Sequence, residues 1–147
     1  MKNNKPGFTL IELLVVIAII GLLSTLSILA LNTARARARD AKRIADVKQI
    51  QTALEMYYND TGAYPDTASV APGLPIFSAN GTFLRQVPAP PTPADGADCG
   101  SPLAYTYTGT GSGAAGTASY TLKYCLGATI NTVTGNVLQT ATPAGIQ

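Results

Sequence analysis

The hydrophobic pattern divides the chain into three regimes. From Phe8 to Leu31 the run FTLIELLVVIAIIGLLSTLSILAL is apolar at almost every position and holds one charge, Glu12. As a helix it spans roughly 36 Å, enough to cross the hydrocarbon core of a bilayer with some tilt. From Asn32 to Asn59 there is neither proline nor glycine, and good helix formers dominate. The pattern therefore predicts one unbroken helix over 8–59, half apolar and half soluble, a rod of roughly 78 Å. In its second half Ile44, Val47, Ile50, Leu54 and Tyr57 or Tyr58 recur at spacings of three and four, an apolar stripe that needs a cover. Asp46, Gln49, Thr52, Glu55 and Asn59 fall on the other faces.

After Asn59 the helix should stop, because Gly62 can take the left-handed conformation of a helix end and Pro65 prevents resumption. Between Asp60 and Pro102 lie eight of the ten prolines, which predicts a connecting region with little regular structure. Leu74, Ile76, Phe77, Phe83, Leu84 and Val87 are its expected anchors on the helix stripe, and Pro88 to Pro93 an extended, stiff connector. Beyond Pro102 the pattern alternates. Leu103, Tyr105 and Tyr107 share one face of a strand, and Tyr120, Leu122, Tyr124 and Leu126 repeat the scheme, so an antiparallel hairpin is expected with Gly109 to Ala118 as its tip. A third strand is expected over 136–142. The fold class is α+β: a long N-terminal helix whose second half packs on a small antiparallel sheet.

Glu12 changes this picture from architecture to function. A carboxylate in the first turn of a lipid-embedded helix costs about 2.5 to 3.5 kcal/mol on insertion scales, so its partner should be sought. Before the run, MKNNKPG is short, basic through Lys2 and Lys5, and ends at a Pro-Gly pair that breaks any helix. A cut after Gly7 would give Phe8 a new α-amino group one helical turn from Glu12, on the same face. Ammonium and carboxylate could then neutralise each other in lipid, within one chain or between neighbours.

The sequence KPGFTLIELLVVIAIIGLL resembles the class III leader and N-terminal helix of type IV pilins and type II secretion pseudopilins, and the likeness continues loosely to Pro65. The resemblance implies a pilin fold, cleavage after Gly7 by a prepilin peptidase, and N-methylation of Phe8. It implies that Glu12 pairs with a neighbour's N-terminal Phe8 as copies of the chain assemble into a helical filament. The implied partners are those copies, the peptidase, a pilus or secretion assembly platform, and the cytoplasmic membrane before assembly. Residues 57–65, YYNDTGAYP, resemble an element of the family's major pseudopilins; its tyrosines and proline are read as shaping and packing a helix stop. The expected divisions are leader 1–7, membrane and assembly helix 8–31, soluble helix 32–59, connecting loop 60–102 and C-terminal sheet 103–147.

Composition and charge fit a subunit that packs against itself. Charged residues make up 12 % of the chain, and histidine and tryptophan are absent. Loss of Lys2 and Lys5 from ten basic side chains would leave eight against eight acidic ones, so copies would meet without strong repulsion. Nothing in the balance indicates nucleic-acid binding. Arg35, Arg37, Arg39, Lys42 and Arg43 read as an interfacial anchor snorkelling toward lipid headgroups, the sharper alternative being contacts to DNA or to acidic residues of neighbouring subunits. By the positive-inside rule this cluster would hold the C-terminal part in the cytoplasm. The resemblance and the cysteines point outward, to a single-pass protein with its C-terminal domain outside and, after assembly, to an extracellular pilus or periplasmic pseudopilus.

Cys99 and Cys125 are the only cysteines. In an extracytoplasmic domain they would form a disulfide contributing roughly 3 kcal/mol in the chain-entropy model; two unpaired buried thiols are the alternative. Two cysteines without histidine cannot complete a zinc site. No calcium site is expected, because no acid follows Cys125, and Asp95 and Asp98 in a Gly-rich loop read as solvated. No cofactor and no catalytic group is expected: nucleophile elbow, paired carboxylates and phosphate loop are all missing. The readings that compete with a filament subunit are an ordinary secretory signal peptide, which fits poorly with so long an apolar core, and a signal-anchored surface binding module that does not polymerise.

Overall fold

The structure is a computed structural model that describes residues 7–93, 105–110, 119–130 and 132–146. The leader residues 1–6, Asp95, Asp98, Cys99, Leu103 and the hairpin tip 111–118 lie outside the described residues. One helix, α1 (Leu10–Thr61), contributes to two compact units, one up to Arg35 and one from Ala36 onward. In the first unit every described position from Gly7 to Arg35 is exposed.

The second unit is α+β. After α1 come a short 3-10 turn (Thr67–Ser69) and a hairpin of β1 (Ile76–Ser78) and β2 (Gly81–Leu84). A four-stranded antiparallel sheet follows, with β3 (Thr106–Thr110), β4 (Ser119–Cys125), β5 (Leu138–Thr142) and β6 (Gly145–Ile146) in sequential order. The β3–β4 register places Tyr107 opposite Leu122 and Gly109 opposite Tyr120. The β4–β5 register places Leu122 opposite Ala141. Alternation along β4 buries Tyr120, Leu122 and Tyr124 and exposes Lys123, as a sheet with one face on a core requires.

That face covers the helix stripe. Val47, Ile50, Ala53 and Leu54 of α1 are buried in one core with Tyr105, Tyr107, Tyr120, Leu122, Tyr124, Leu126 and Ala141. Tyr64 and Pro65 close its end: the Tyr64 ring stacks on Tyr58 at 4.7 Å and meets Tyr120 edge-on at 4.8 Å, and the Tyr107 hydroxyl donates to the Pro65 carbonyl at 2.8 Å. α1 stops where expected. Gly62 has φ 77° and its N–H donates to the Tyr58 carbonyl at 2.8 Å, the left-handed end that a side chain disfavours.

Five expectations are corrected. The connecting region is more regular than its prolines suggest, since it carries the 3-10 turn and the β1–β2 hairpin. Of its expected anchors, Ile76, Leu84 and Val87 are buried and Phe83 packs against the core, whereas Leu74 and Phe77 are exposed. Alternation along a short hairpin turns Phe77 outward while Ile76 turns in. Asp46, expected on a face other than the apolar stripe, is buried, accepting from the Tyr105 hydroxyl at 2.9 Å and from Lys42 at 3.1 Å. Arg43 is no headgroup anchor, because it is fully buried beside Asp40. A further strand, β6, extends the sheet beyond the expected three.

Candidate functional site

The N-terminal unit is built around one apolar surface and one carboxylate. Phe8, Leu10, Ile11, Leu13, Ile17 and Leu29 are among the side chains that the chain leaves bare. α1 is also the one described helix with a stretch long and apolar enough to cross a membrane, and that stretch has no residue buried within the molecule. The few hydroxyls in it are satisfied by the helix itself. Ser24 donates to the Ile20 carbonyl, Thr25 to Leu22, Ser27 to Leu23 and Thr33 to Leu29, at 2.7 to 3.2 Å. Such back-bonding leaves no hydroxyl proton unpaired in a solvent that offers no acceptor.

Glu12 closes a capping box. Its Oε2 accepts from the Thr9 backbone N–H at 2.8 Å and from the Thr9 hydroxyl at 2.6 Å, and its own N–H donates to Thr9 Oγ1 at 3.3 Å. The pair thus satisfies helix-start donors reciprocally. Sequence reasoning looked to the Phe8 amine as the partner of Glu12 and missed Thr9, although Thr-x-x-Glu before an apolar run is the signature of such a box. Gly7 and Phe8 precede the first helical residue, and Phe8 is 87 % exposed. The two lie in accessible, non-helical backbone.

In the second unit the polar contacts bind α1 to the sheet. Asp40 Oδ1 accepts from Gly127 N–H and Oδ2 from Ala128 N–H, each at 2.9 Å, and Arg43 Nη1 donates to Oδ1. Arg43 Nη2 reaches the Pro91 and Pro93 carbonyls at 3.1 and 3.2 Å. One buried ion pair therefore fixes both the β4–β5 loop and the proline-rich connector to the helix. Burial raises the buried tyrosines above their ordinary value, Tyr120 and Tyr124 to about 12. Tyr105 is raised by burial first and by its bond to Asp46 second. Cys125 is buried at the end of β4, and Cys99 lies outside the described residues. A groove of 460 Å³ is lined by Tyr57, Pro65, Ser69, Leu74, Ile76 and Phe77 among others; among the described residues its lining holds no carboxylate or amine side chain. Among the described residues no group of three or more acids, cysteines or histidines converges.

Residues 2–28 match the family described as the prokaryotic N-terminal methylation motif. The chain is 36 % identical over 98 residues to type II secretion system core protein G of Escherichia coli (strain K12), covering 60 % of this chain and 68 % of that protein. It is 44 % identical over 85 residues to the type IV wide pilus major component PilA4 of Thermus thermophilus, covering 56 % and 64 %. To the type IV major pilin protein PilE1 of Neisseria gonorrhoeae it is 31 % identical over 87 residues, covering 59 % and 41 %. No solved structure matches the chain. With the N-terminal motif, the bare apolar helix and these relatives in agreement, the chain belongs to the family of type IV pilins and type II secretion pseudopilins.

Proposed function

We propose that the chain is a structural subunit of a type IV pilus or pseudopilus, made by cleavage after Gly7 and assembled through 8–31. The observation that carries this reading is the exposed apolar surface of α1 with a single carboxylate at its start. Lipid covers that surface in the precursor, with the C-terminal unit outside the cytoplasmic membrane, and identical helices cover it in the filament. A prepilin peptidase cuts the Gly7–Phe8 bond and Phe8 is methylated. In the assembled state the Glu12 carboxylate turns from Thr9 to the Phe8 amine of a neighbour, which sets the register of each added copy on the assembly platform. The domain organisation is leader 1–7, assembly helix 8–31, soluble helix 32–59, connector 60–102 and sheet region 103–147.

The same reading gives the chain no enzymatic role, consistent with relatives that are structural subunits. It pairs Cys99 with Cys125, supported by the absence of a free cysteine among the described residues. The relatives lend no support to a signal-anchored module that does not polymerise.

Intact-mass and N-terminal analysis of sheared surface material and of envelopes tests the proposal. A chain starting at methylated Phe8 in the sheared or pseudopilus fraction is expected; a chain starting at Met1 and confined to membranes would overturn it. Glu12→Ala should yield a stable membrane monomer that does not assemble, and normal filaments from that variant would sink the role given to the carboxylate.

A further inference from the structure

A small polar knot ties the tip of the β1–β2 hairpin to the end of α1. Ser78 pairs with Gly81, leaving Ala79 and Asn80 as the turn residues. The Asn80 side-chain amide donates to Asp60 Oδ1 at 2.7 Å, and the Ser78 hydroxyl donates to Asp60 Oδ2. The Asn80 backbone N–H donates to Ser78 Oγ at 3.0 Å. The Ser78 hydroxyl, and after it the Asn80 amide, hold the Asp60 carboxyl below the ordinary aspartate value, so Asp60 is an anion at neutral pH. Asn80 supplies one of the two donors to Asp60, and the knot loses that bond once Asn80 no longer presents an N–H.

Asn80-Gly81 is the one Asn-Gly pair in the sequence. Both residues are exposed, and nothing surrounds the position where a Gly81 side chain would stand. The Gly81 nitrogen can therefore approach the Asn80 side-chain carbonyl carbon without crowding.

We propose that Asn80-Gly81 is a site of spontaneous deamidation that unties the knot. The Gly81 amide loses its proton to solvent base and its nitrogen attacks Asn80 Cγ. The Cγ–Nδ2 bond breaks, ammonia leaves with a proton from water, and a five-membered succinimide remains. Water adds to either imide carbonyl and opens the ring to aspartate or isoaspartate, with no oxidant or further reactant. The amide that donated to Asp60 is replaced by a second carboxylate facing the first, and like charges this close repel. The hairpin keeps its apolar hold, with Ile76 and Leu84 buried and Phe83 meeting Tyr57 edge-on at 6.0 Å. The change is thus a loosening of the turn and not an unfolding of the unit.

The test uses the full chain in detergent micelles, held for days at mildly alkaline pH and followed by peptide mass mapping and hydrogen exchange. Asn80 should gain one dalton at about ten times the rate of Asn59 or Asn136, because only there is the attacking nitrogen uncrowded. Gly81→Ala, which meets open space and needs no left-handed backbone, should keep the hairpin and bring Asn80 down to the rate of the other two. Asn80→Asp should exchange amide protons across 76–84 faster than the fresh chain and at the pace of the aged one, with β4 unchanged. Conversion at Asn80 no faster than at Asn59 and Asn136 would overturn the site. Slow exchange in both the aged and the Asn80→Asp chains would overturn the release of the knot.

Discussion

Asp40 holds three partners with one carboxylate: a guanidinium on its own helix and two backbone N–H groups of the loop after β4. It and Arg43 are both fully buried. Removing one member strands the other charge without water, so Asp40→Ala should cost about 3 to 5 kcal/mol, read as a lowered midpoint in denaturant unfolding of the micelle-bound chain. Two tyrosines on the sheet give a sharper comparison. The Tyr105 hydroxyl serves the buried Asp46 carboxylate, whereas the buried Tyr124 hydroxyl has no hydrogen-bond partner among the described residues. Tyr105→Phe should cost about 1.5 to 3 kcal/mol, as for a bond to a charged group, and Tyr124→Phe should leave stability unchanged or raise it. None of this polar wiring was legible in the sequence. Periodicity treats a charge as a solvated position, and the Asp-x-x-Arg spacing of Asp40 and Arg43 says that the two can meet, not that a distant loop will cover them.

Elements were legible in proportion to their length. The course of α1 follows from local signals, an apolar run, 52 residues without a breaker apart from Gly21, and a glycine at the end. β3 and β4 follow from alternating tyrosines and leucines. β1, β2 and β6 are two to four residues long, too short for alternation to register. The described residues between β4 and β5 were equally invisible, yet Gly135 among them is tightly specified. A Cβ on Gly135 would lie 2.2 Å from the Ala128 carbonyl carbon. Backbone cannot yield as a flexible side chain would, so Gly135→Ala should destabilise by about 1 to 3 kcal/mol. It should also open the loop to limited proteolysis between β4 and β5 before the sheet itself is cut.

For the whole C-terminal unit the tyrosines dictate the response to alkali. Tyr120 and Tyr124 are held protonated by burial up to about 12, above the ordinary tyrosine value of 10.0. Between those values the unfolded chain releases protons that the folded chain retains. Stability is therefore full below about pH 10 and declines as pH rises toward 12. A spectrophotometric phenolate titration should show the buried Tyr120 and Tyr124 rings ionising above the ordinary tyrosine value, together with loss of near-ultraviolet circular dichroism. Ionisation of Tyr120 and Tyr124 at the ordinary value, with the near-ultraviolet signal intact, would contradict the buried ladder. What the sequence made plain at this scale, an apolar helix joined to a small sheet, is the part that short-range pattern encodes. The way the unit locks to its helix depends on contacts between residues up to 91 positions apart.

The edges of the four-stranded sheet bear on a different question, how a polymerising protein avoids joining the wrong way. On one side β6 offers only two residues. On the other, the outward Gly109 amide of β3 is already taken by the Thr67 hydroxyl at 3.0 Å. A two-residue strand, and an edge on which one amide is already engaged, are poorer templates for strand addition. In the assembly proposed above, copies would then grow through the exposed apolar helix over 8–31 and not by recruiting one another's sheets.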